Sequence, residues 1–132
     1  MSNFSLNRVE LVGRLGDAPE IVTFADGGKL AKLRIATTQT WRDKQSGEKR
    51  ERTEWHFVEI KSKGLAEVVE KYADKGAHVR VVGENRTEEW TDKDGQKRYT
   101  TKVVVAGNRH EFNLLEGKDA AEARRSRLQE AA

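Results

Sequence analysis

The chain of 132 residues has room for one domain, because a core of this size buries roughly two thirds of the surface that the unfolded chain exposes. Hydrophobic residues make up 36% of the chain and charged residues another 36%, which is typical of a thin, strand-built core with a strongly solvated exterior. The absence of cysteine excludes disulfides, thiolate metal sites and cysteine nucleophiles, and no stretch approaches the ~20 apolar residues that span a membrane. We expect a soluble cytoplasmic protein whose net charge of +3 admits a polyanionic partner without requiring one.

The first part of the chain is patterned as three strands. Alternating apolar residues predict a strand from Val9 to Leu15, and a short second strand from Ile21 to Phe24. The segment Asp26-Gly27-Gly28 supplies residues that accept the positive φ angles of a tight hairpin turn. In the third strand, one face carries Ala31, Leu33, Ile35 and Thr37, and the other carries Leu30, Lys32, Arg34 and Ala36.

Residues 42–53 are predicted to form a long mobile loop, because they contain five basic and three acidic side chains and no aliphatic residue. From Thr53 the alternation returns. His56, Val58 and Ile60 share one face of this strand, so Trp55 and Phe57 must share the other. If the aliphatic face is buried, both aromatic rings point outward.

The second half predicts one helix and two further strands. Leu65, Val68, Val69 and Tyr72 have helical spacing, with Gly76 expected as the C-terminal cap. A strand then runs from His78 to Trp90, the dipeptide Asp94-Gly95 turns the chain, and Tyr99 to Ala106 returns. This order of elements predicts a mainly β, small closed or partly open barrel that is plugged by one helix.

Beyond Leu115 the composition shifts to Ala, Glu and Arg, which predicts a frayed helix or disorder. We therefore divide the chain into a domain of residues 1–110 and a C-terminal extension of residues 111–132.

Three tryptophans stand beside charged residues in this polar chain: Trp41, Trp55 and Trp90. Each of them alone could equally fill the core or a subunit interface. All three together favour a row of stacking platforms, since each nucleic-acid base stacked on an aromatic ring contributes about 1 to 3 kcal/mol without sequence preference. Candidate phosphate contacts accompany them: Arg8, Lys32, Arg34, Arg42, Lys61, Arg86, Lys97 and Arg98.

Over about residues 5–107 the chain resembles the bacterial single-stranded DNA-binding proteins. The combination of motifs is specific, although each one alone is weak. The motifs are Asn7-Arg8-Val9-x-Leu11-Val12-Gly13-x-Leu15-Gly16, Pro19-Glu20, Ala36-Thr37 through Trp41-Arg42-Asp43-Lys44, Thr53-Glu54-Trp55-His56, Leu65-Ala66-Glu67-Val68, and Trp90-Thr91-Asp92 through Arg98-Tyr99-Thr100-Thr101.

The resemblance implies an OB-fold, a five-stranded Greek-key barrel with a long protruding hairpin. It also implies a homotetramer that coats single strands in replication, recombination and repair, associated with the nucleoid in the cytoplasm. It implies that Trp41, Trp55 and Trp90 stack on bases and that His56 lies near the subunit interface. From the residues alone, a histidine whose hydrogen bonds are satisfied inside the core is an equal alternative for His56.

The chain departs from the family pattern at three places. The family commonly has a basic residue after the Trp-His pair and an aromatic one four residues further on, whereas this chain has Phe57 and Lys61 there. Phe57 is therefore predicted as a fourth stacking ring. Glu88 and Glu89 replace a basic hairpin and should oppose binding, and the end at Arg127–Ala132 lacks the acidic tip that recruits repair proteins. We expect no recruitment by that route, whether the tail is truncated or divergent.

Enzymatic activity is not expected, because no catalytic groups converge. Asp92-x-Asp94-Gly95 imitates the start of a calcium loop, but Val103 stands where the bidentate glutamate belongs. We predict no metal and no cofactor. Two other functions stay open: a protein-interaction module that has lost strong DNA binding, favoured by Glu88 and Glu89, and RNA binding, because stacking platforms do not read the 2′-hydroxyl.

Overall fold

The structure is a computed structural model that describes residues 4–131. Within this range the chain forms seven strands and two helices. The strands are β1 (Val9–Leu15), β2 (Glu20–Thr23), β3 (Lys29–Arg42), β4 (Lys49–Ile60), β5 (His78–Thr91), β6 (Lys97–Val105) and β7 (Glu111–Leu114). The helices are α1 (Lys63–Tyr72) and α2 (Lys118–Ala131).

Five of the strands close into a barrel in the order β1-β3-β4-β6-β5, and β5 pairs back onto β1. The β4–β6 pairing is parallel, whereas the other barrel pairings are antiparallel. This is the Greek-key topology of the OB-fold, as the sequence predicts. β2 forms a hairpin with β3, and β7 adds to the free edge of β5.

The barrel core is aliphatic, in agreement with the alternation in the sequence. Ile35, Val58 and Ile60 are at most 1% exposed, and α1 inserts Ala66 and Val69 into the same cluster. Each fully buried side chain of this size contributes roughly 1.5 to 3 kcal/mol of hydrophobic free energy. The core therefore holds β3, β4 and α1 in fixed relative positions.

Two glycines permit the strands to approach closely where the barrel closes. A Cβ atom at Gly13 would lie 2.1 Å from the carbonyl oxygen of Ala36, and one at Gly83 would lie 2.5 Å from that of Val104. Both distances are shorter than any non-bonded contact, so a side chain at either position would push neighbouring strands apart. These glycines belong to the packing of the barrel.

The prediction of a long mobile loop over residues 42–53 is wrong. β3 continues to Arg42 and β4 begins at Lys49, with the register Trp41 opposite Arg50, so this segment is the tip and most of one strand of a two-stranded ribbon that projects from the barrel. A ribbon with both faces in water needs no aliphatic residue, because cross-strand pairs stabilise it instead. One such pair joins the hydroxyls of Thr38 and Thr53 at 3.1 Å.

The prediction that Gly76 caps the helix is also wrong. α1 ends at Tyr72, with Ala73 as an extended C-cap, and Ser62 caps its N-terminus. Gly76 has φ +87° and lies in the following turn, where its N–H donates to the carbonyl oxygen of Leu15. Its left-handed backbone therefore directs the chain into β5 and does not end the helix.

A second helix follows the barrel in the segment where the sequence predicts a frayed helix or disorder, and the chain after residue 110 contains regular structure. β7 pairs with β5, and α2 carries Arg124, which is only 6% exposed. Arg124 binds the carboxylates of Glu116 and Asp74 and the carbonyl oxygen of Lys75. α2 is therefore held by a buried cation, which a search for apolar periodicity does not detect. The predicted absence of an acidic tip extends to Ala132, which lies outside the described residues.

Candidate nucleic-acid interface

One continuous surface of the barrel carries most of the predicted site. Strand alternation places Trp55, Phe57 and Glu59 of β4 on the outside, since Val58 and Ile60 on the alternate positions are buried. Their register partners on β3 are Ala36, Arg34 and Lys32, and the matching positions of β5 and β6 include Arg86, Glu88, Trp90, Arg98, Thr100 and Lys102. We call this surface the outer face.

Trp55 is held between a cation and a glycine. The Arg34 guanidinium lies over the indole ring, 4.0 Å from its centroid, and Arg34 also pairs with Asp17 at 3.4 Å. A Cβ atom at Gly16 would approach Cζ3 of the ring to 2.4 Å, so the absence of a side chain there makes room for the indole. Trp55 remains 44% exposed and ordered by its neighbours, as a stacking platform requires.

Phe57 and Trp90 complete the aromatic part of the outer face. Phe57 is 59% exposed and lies two residues from Trp55 along β4, so both rings point outward. Trp90 is 50% exposed, and its indole N–H donates to the Thr100 hydroxyl at 2.9 Å across the β5–β6 ribbon. The hydrogen bond fixes the ring orientation while leaving much of the indole accessible.

Trp41 is separated from the other rings. It is 49% exposed, but its register position opposite Arg50 assigns it to the face of the β3–β4 ribbon opposite to that of Trp55. The sequence does not indicate this separation, because residue spacing alone leaves the ribbon geometry open.

Most of the predicted phosphate-contacting cations are engaged with other groups of the chain. Arg34 pairs with Asp17, Lys61 with Glu88, Arg86 with Glu84, Lys97 with Glu89 and Arg98 with Asp92. Arg42 donates to the carbonyl oxygen of Gly47. Over residues 4–131, Arg8 and Lys32 form no ion pair, and both are exposed. A phosphate can bind most of these cations only by displacing an acidic partner or sharing the cation with it.

Glu88 lies at the centre of one such cluster on the outer face. Its carboxylate is 2.8 Å from Nζ of Lys102 and 3.6 Å from Nζ of Lys61. Glu59 also binds Lys102, at 2.6 Å. The hydrogen bond from Lys102, and to a smaller extent the charge of Lys61, holds the pKa of Glu88 below its ordinary value, so Glu88 is a carboxylate at neutral pH.

His56 lies on the inner side of β4, as predicted. It is half-buried, and its Nε2 is 2.8 Å from the Thr37 hydroxyl on the neighbouring strand. Its hydrogen-bonding capacity is therefore partly satisfied within one chain.

Three residues that sequence analysis did not assign to the site lie on or beside it. Tyr99 is 67% exposed on the β5–β6 ribbon, where its register position opposite Glu89 assigns it to the ribbon face opposite to that of Trp90, and Phe24 is 49% exposed at the turn after β2. Lys102 lies at the centre of the ion cluster. Alternation along β2 would have indicated Phe24, because the pairing of β2 with β3 places Phe24 on the same face as the cations of β3.

The tips of both ribbons are built by the same device. Oδ1 of Asp92 accepts hydrogen bonds from the backbone N–H groups of Asp94 and Gln96, both at 2.9 Å, and Gly95 has φ +79°. In the other tip, the equivalent position is Asp43, which accepts from Gln45 and Ser46. An aspartate and a left-handed glycine thus close each turn.

We expect the β5–β6 tip to loosen in acid. The backbone hydrogen bond from Gln96, followed by the bond from Arg98, holds the pKa of Asp92 below its ordinary value. The stabilisation is therefore present above the ordinary pKa of about 4 and is lost as the pH falls through the lower folded pKa. Amide hydrogen exchange at Asp94 and Gln96 will accelerate in Asp92→Ala at neutral pH. Asp94→Ala is the control, and equal exchange in the two variants would contradict this role.

Over the described residues, His, Asp and Glu side chains form no group of three or more that could hold a metal ion. Nor does that part of the chain contain a helix long and apolar enough to cross a membrane.

A closed OB barrel with half-exposed aromatic rings among cations on its strand face is of the kind that receives oligonucleotides or oligosaccharides. A profile of the Single-strand binding protein family matches residues 6–113. The chain belongs to the single-strand binding protein family.

Curated relatives and a solved structure agree with this assignment. A single-stranded DNA-binding protein of Rhizobium meliloti (strain 1021) is 46% identical over 114 residues, which cover 86% of this chain and 66% of the relative. The protein of the same description from Rickettsia felis (strain ATCC VR-1525 / URRWXCal2) is 45% identical over 116 residues, covering 88% and 76%. The chain thus spans about two thirds to three quarters of these relatives.

Among solved structures, the Plasmodium falciparum SSB in complex with ssDNA superposes with a TM-score of 0.76 at 30% identity. The match covers 88% of this chain and all of that one.

Proposed function

We propose that this chain binds single-stranded DNA without sequence specificity, by stacking bases on Trp55, Phe57, Trp90 and Trp41. The observation that carries the proposal is the outer face, where three of these rings stand half-exposed on one wall of an OB barrel. Rings that filled the core would be buried, whereas these are 44% to 59% exposed. The bound strand of the Plasmodium relative supports the same ligand class.

Phosphate contacts supplement the stacking. Arg8 and Lys32 are exposed without an ion pair among the described residues and can receive a phosphate directly. Lys61, Arg86, Lys97 and Arg98 must exchange a carboxylate for it. A phosphate that displaces a carboxylate from its cation should cause a smaller net release of ions than a phosphate that binds an unpaired cation. The affinity should therefore fall with salt less steeply than the slope of about −0.7 per neutralised phosphate that is expected for single strands.

The position of Trp41 implies that the bound DNA strand follows a bent path. A strand that stacks on Trp55 and also on Trp41 has to pass around an edge of the β3–β4 ribbon. We propose that the strand wraps the ribbon and does not lie flat on one surface.

The protein acts, in this proposal, as a non-catalytic cytoplasmic coat that protects single strands in replication, recombination and repair. We propose the homotetramer that the family resemblance implies, with His56 near the subunit interface. Light scattering should then give four times the chain mass of 15.0 kDa.

Titration with three ligands tests the function. Labelled oligo-dT, oligo-U and duplex DNA are each titrated with the protein at two salt concentrations, and anisotropy and tryptophan fluorescence are recorded. We expect tight oligo-dT binding with quenching, weak duplex binding, and affinity that falls log-linearly with salt. Preference for oligo-U would indicate an RNA-binding protein, and no oligo-dT binding at low salt would refute the proposal and leave the protein-interaction function.

A further inference from the structure

A groove on the outer face extends beyond the predicted site. It has a volume of about 460 Å³ and lies between the position of Phe57 and the β2–β3 turn. Four lysines and two glutamates give it a net positive charge, and two apolar side chains complete its lining. These residues are Lys29, Lys32, Lys61, Lys102, Glu59, Glu88, Phe24 and Leu30.

The strand register aligns this groove with the aromatic rings. Trp55 lies opposite Ala36 and Phe57 opposite Arg34, and the same face of β3 continues through Lys32 to Gly28. The N–H of Phe24 donates to the carbonyl oxygen of Gly28 at 2.8 Å. Since residues two apart on a strand share a face, Phe24 stands on the same face as Phe57, six β3 residues or about 20 Å away.

Phe24 is presented in a fixed orientation. The turn after it is closed by the side chain of Asp26, whose Oδ1 accepts from the N–H of Gly28 at 2.9 Å, and by Gly27 with φ +89°. No Cβ atom is present at Gly28, and the Phe24 ring lies over that gap, 3.5 Å from where a Cβ would be. A half-exposed ring on such a turn offers a π-face at little cost in side-chain entropy.

The two glutamates of the groove form ion pairs with its lysines, as a bound phosphate would. Glu59 is 12% exposed and remains bound to Lys102, but the Glu88 side chain is 45% exposed and can turn into solvent. Its departure would leave Lys61 and Lys102 facing the groove with their ammonium groups available. A phosphodiester carries the same charge as the carboxylate it replaces.

We infer that this groove is a further subsite for single-stranded DNA, in which a base stacks on Phe24 and a phosphate displaces Glu88 from Lys61 and Lys102. The inference rests on the proposed function and lengthens the path of the bound DNA. The DNA strand continues from Phe57 along β3 to the β2–β3 turn. It assigns roles to Phe24 and Lys102, and it makes Glu88 an internal competitor of the phosphate.

The experiment compares Phe24→Ala with Tyr72→Ala over a length series of oligo-dT. Tyr72 is an aromatic residue at least as exposed as Phe24, 57% against 49%, but it lies on α1 away from the outer face. We expect Phe24→Ala to weaken binding of long oligonucleotides about 5-fold or more, from the loss of one stacked base, and to leave the shortest bound length unaffected. Tyr72→Ala should match the wild type, and both variants should retain the wild-type melting temperature.

Two further measurements keep the outcomes separate. Photocrosslinking with a halogenated oligo-dU should yield a peptide that contains Phe24, and Glu88→Gln should raise affinity for long oligo-dT. If Phe24→Ala binds like Tyr72→Ala at every length while Trp55→Ala binds more weakly, the subsite is refuted and the proposed function stands. If the wild type binds no oligo-dT, the proposed function fails and the subsite with it.

Discussion

Replacing Trp55 and Phe57 together by alanine will reduce the affinity for oligo-dT by about 25-fold or more, because each ring that stacks on a base contributes about 1 to 3 kcal/mol. Each single variant should lose about 5- to 150-fold. Both rings are at least 44% exposed and lie outside the barrel core, so the loss should appear in binding and not in folding. Equilibrium titration by anisotropy, with the melting temperature recorded in parallel, measures both.

The matched controls are Tyr72→Ala for an exposed aromatic residue outside the site and Trp41→Ala for the ring on the opposite ribbon face. We expect the Trp41 variant to lose less than the Trp55 variant for oligonucleotides too short to pass around the ribbon, and a comparable amount for longer ones. Unchanged affinity of the double variant would show that the strand does not cross β4.

Arg124→Ala will destabilise the chain and release α2, with little effect on DNA affinity. Arg124 donates to Asp74, Glu116 and the Lys75 carbonyl oxygen. Removing it leaves a Glu116 carboxylate that is only 10% exposed without the partner of this ion pair. Removing one partner of a buried ion pair costs about 3 to 5 kcal/mol, and we expect about 2 to 3 here because Asp74 is 40% exposed and can be rehydrated. Urea unfolding and amide exchange along α2 measure the two effects.

Arg127→Ala is the control, since it changes an exposed arginine of the same helix. The contact also predicts a pH dependence. The hydrogen bond from Arg124 holds the pKa of Glu116 below its ordinary value. The stabilisation of the folded chain by this bond is therefore complete at neutral pH and is lost as the pH falls through that lower pKa. If the two variants unfold alike at neutral pH, the Arg124 network does not hold α2.

Sequence alternation predicted the barrel because each barrel strand has one buried face. Along β4, the burial of Val58 and Ile60 requires that Trp55 and Phe57 face out, so both the fold and these two site residues follow from a period of two. The same rule indicated His56 as inward. It needed no knowledge of the other strands.

The same reasoning fails where burial does not constrain the chain. Both faces of the β3–β4 ribbon are in water, so composition suggested a loop, and cross-strand pairing such as Thr38 with Thr53 decides the structure. The Arg124 network joins residues about 50 positions apart, and nothing in the local pattern distinguishes Arg124 from its charged neighbours. Ion pairing also decides which predicted phosphate contacts are available, as at Lys61, and pairing depends on register.

An abasic oligonucleotide of the same length as a bound oligo-dT tests base stacking most directly, because it keeps the phosphates and removes the bases. With both titrated at low salt, we predict that oligo-dT quenches the tryptophan fluorescence and binds at least 100-fold more tightly, while the abasic strand binds weakly and quenches little. Equal affinity and equal quenching by the two strands would show that phosphate contacts alone hold the DNA, and would contradict stacking on the tryptophans.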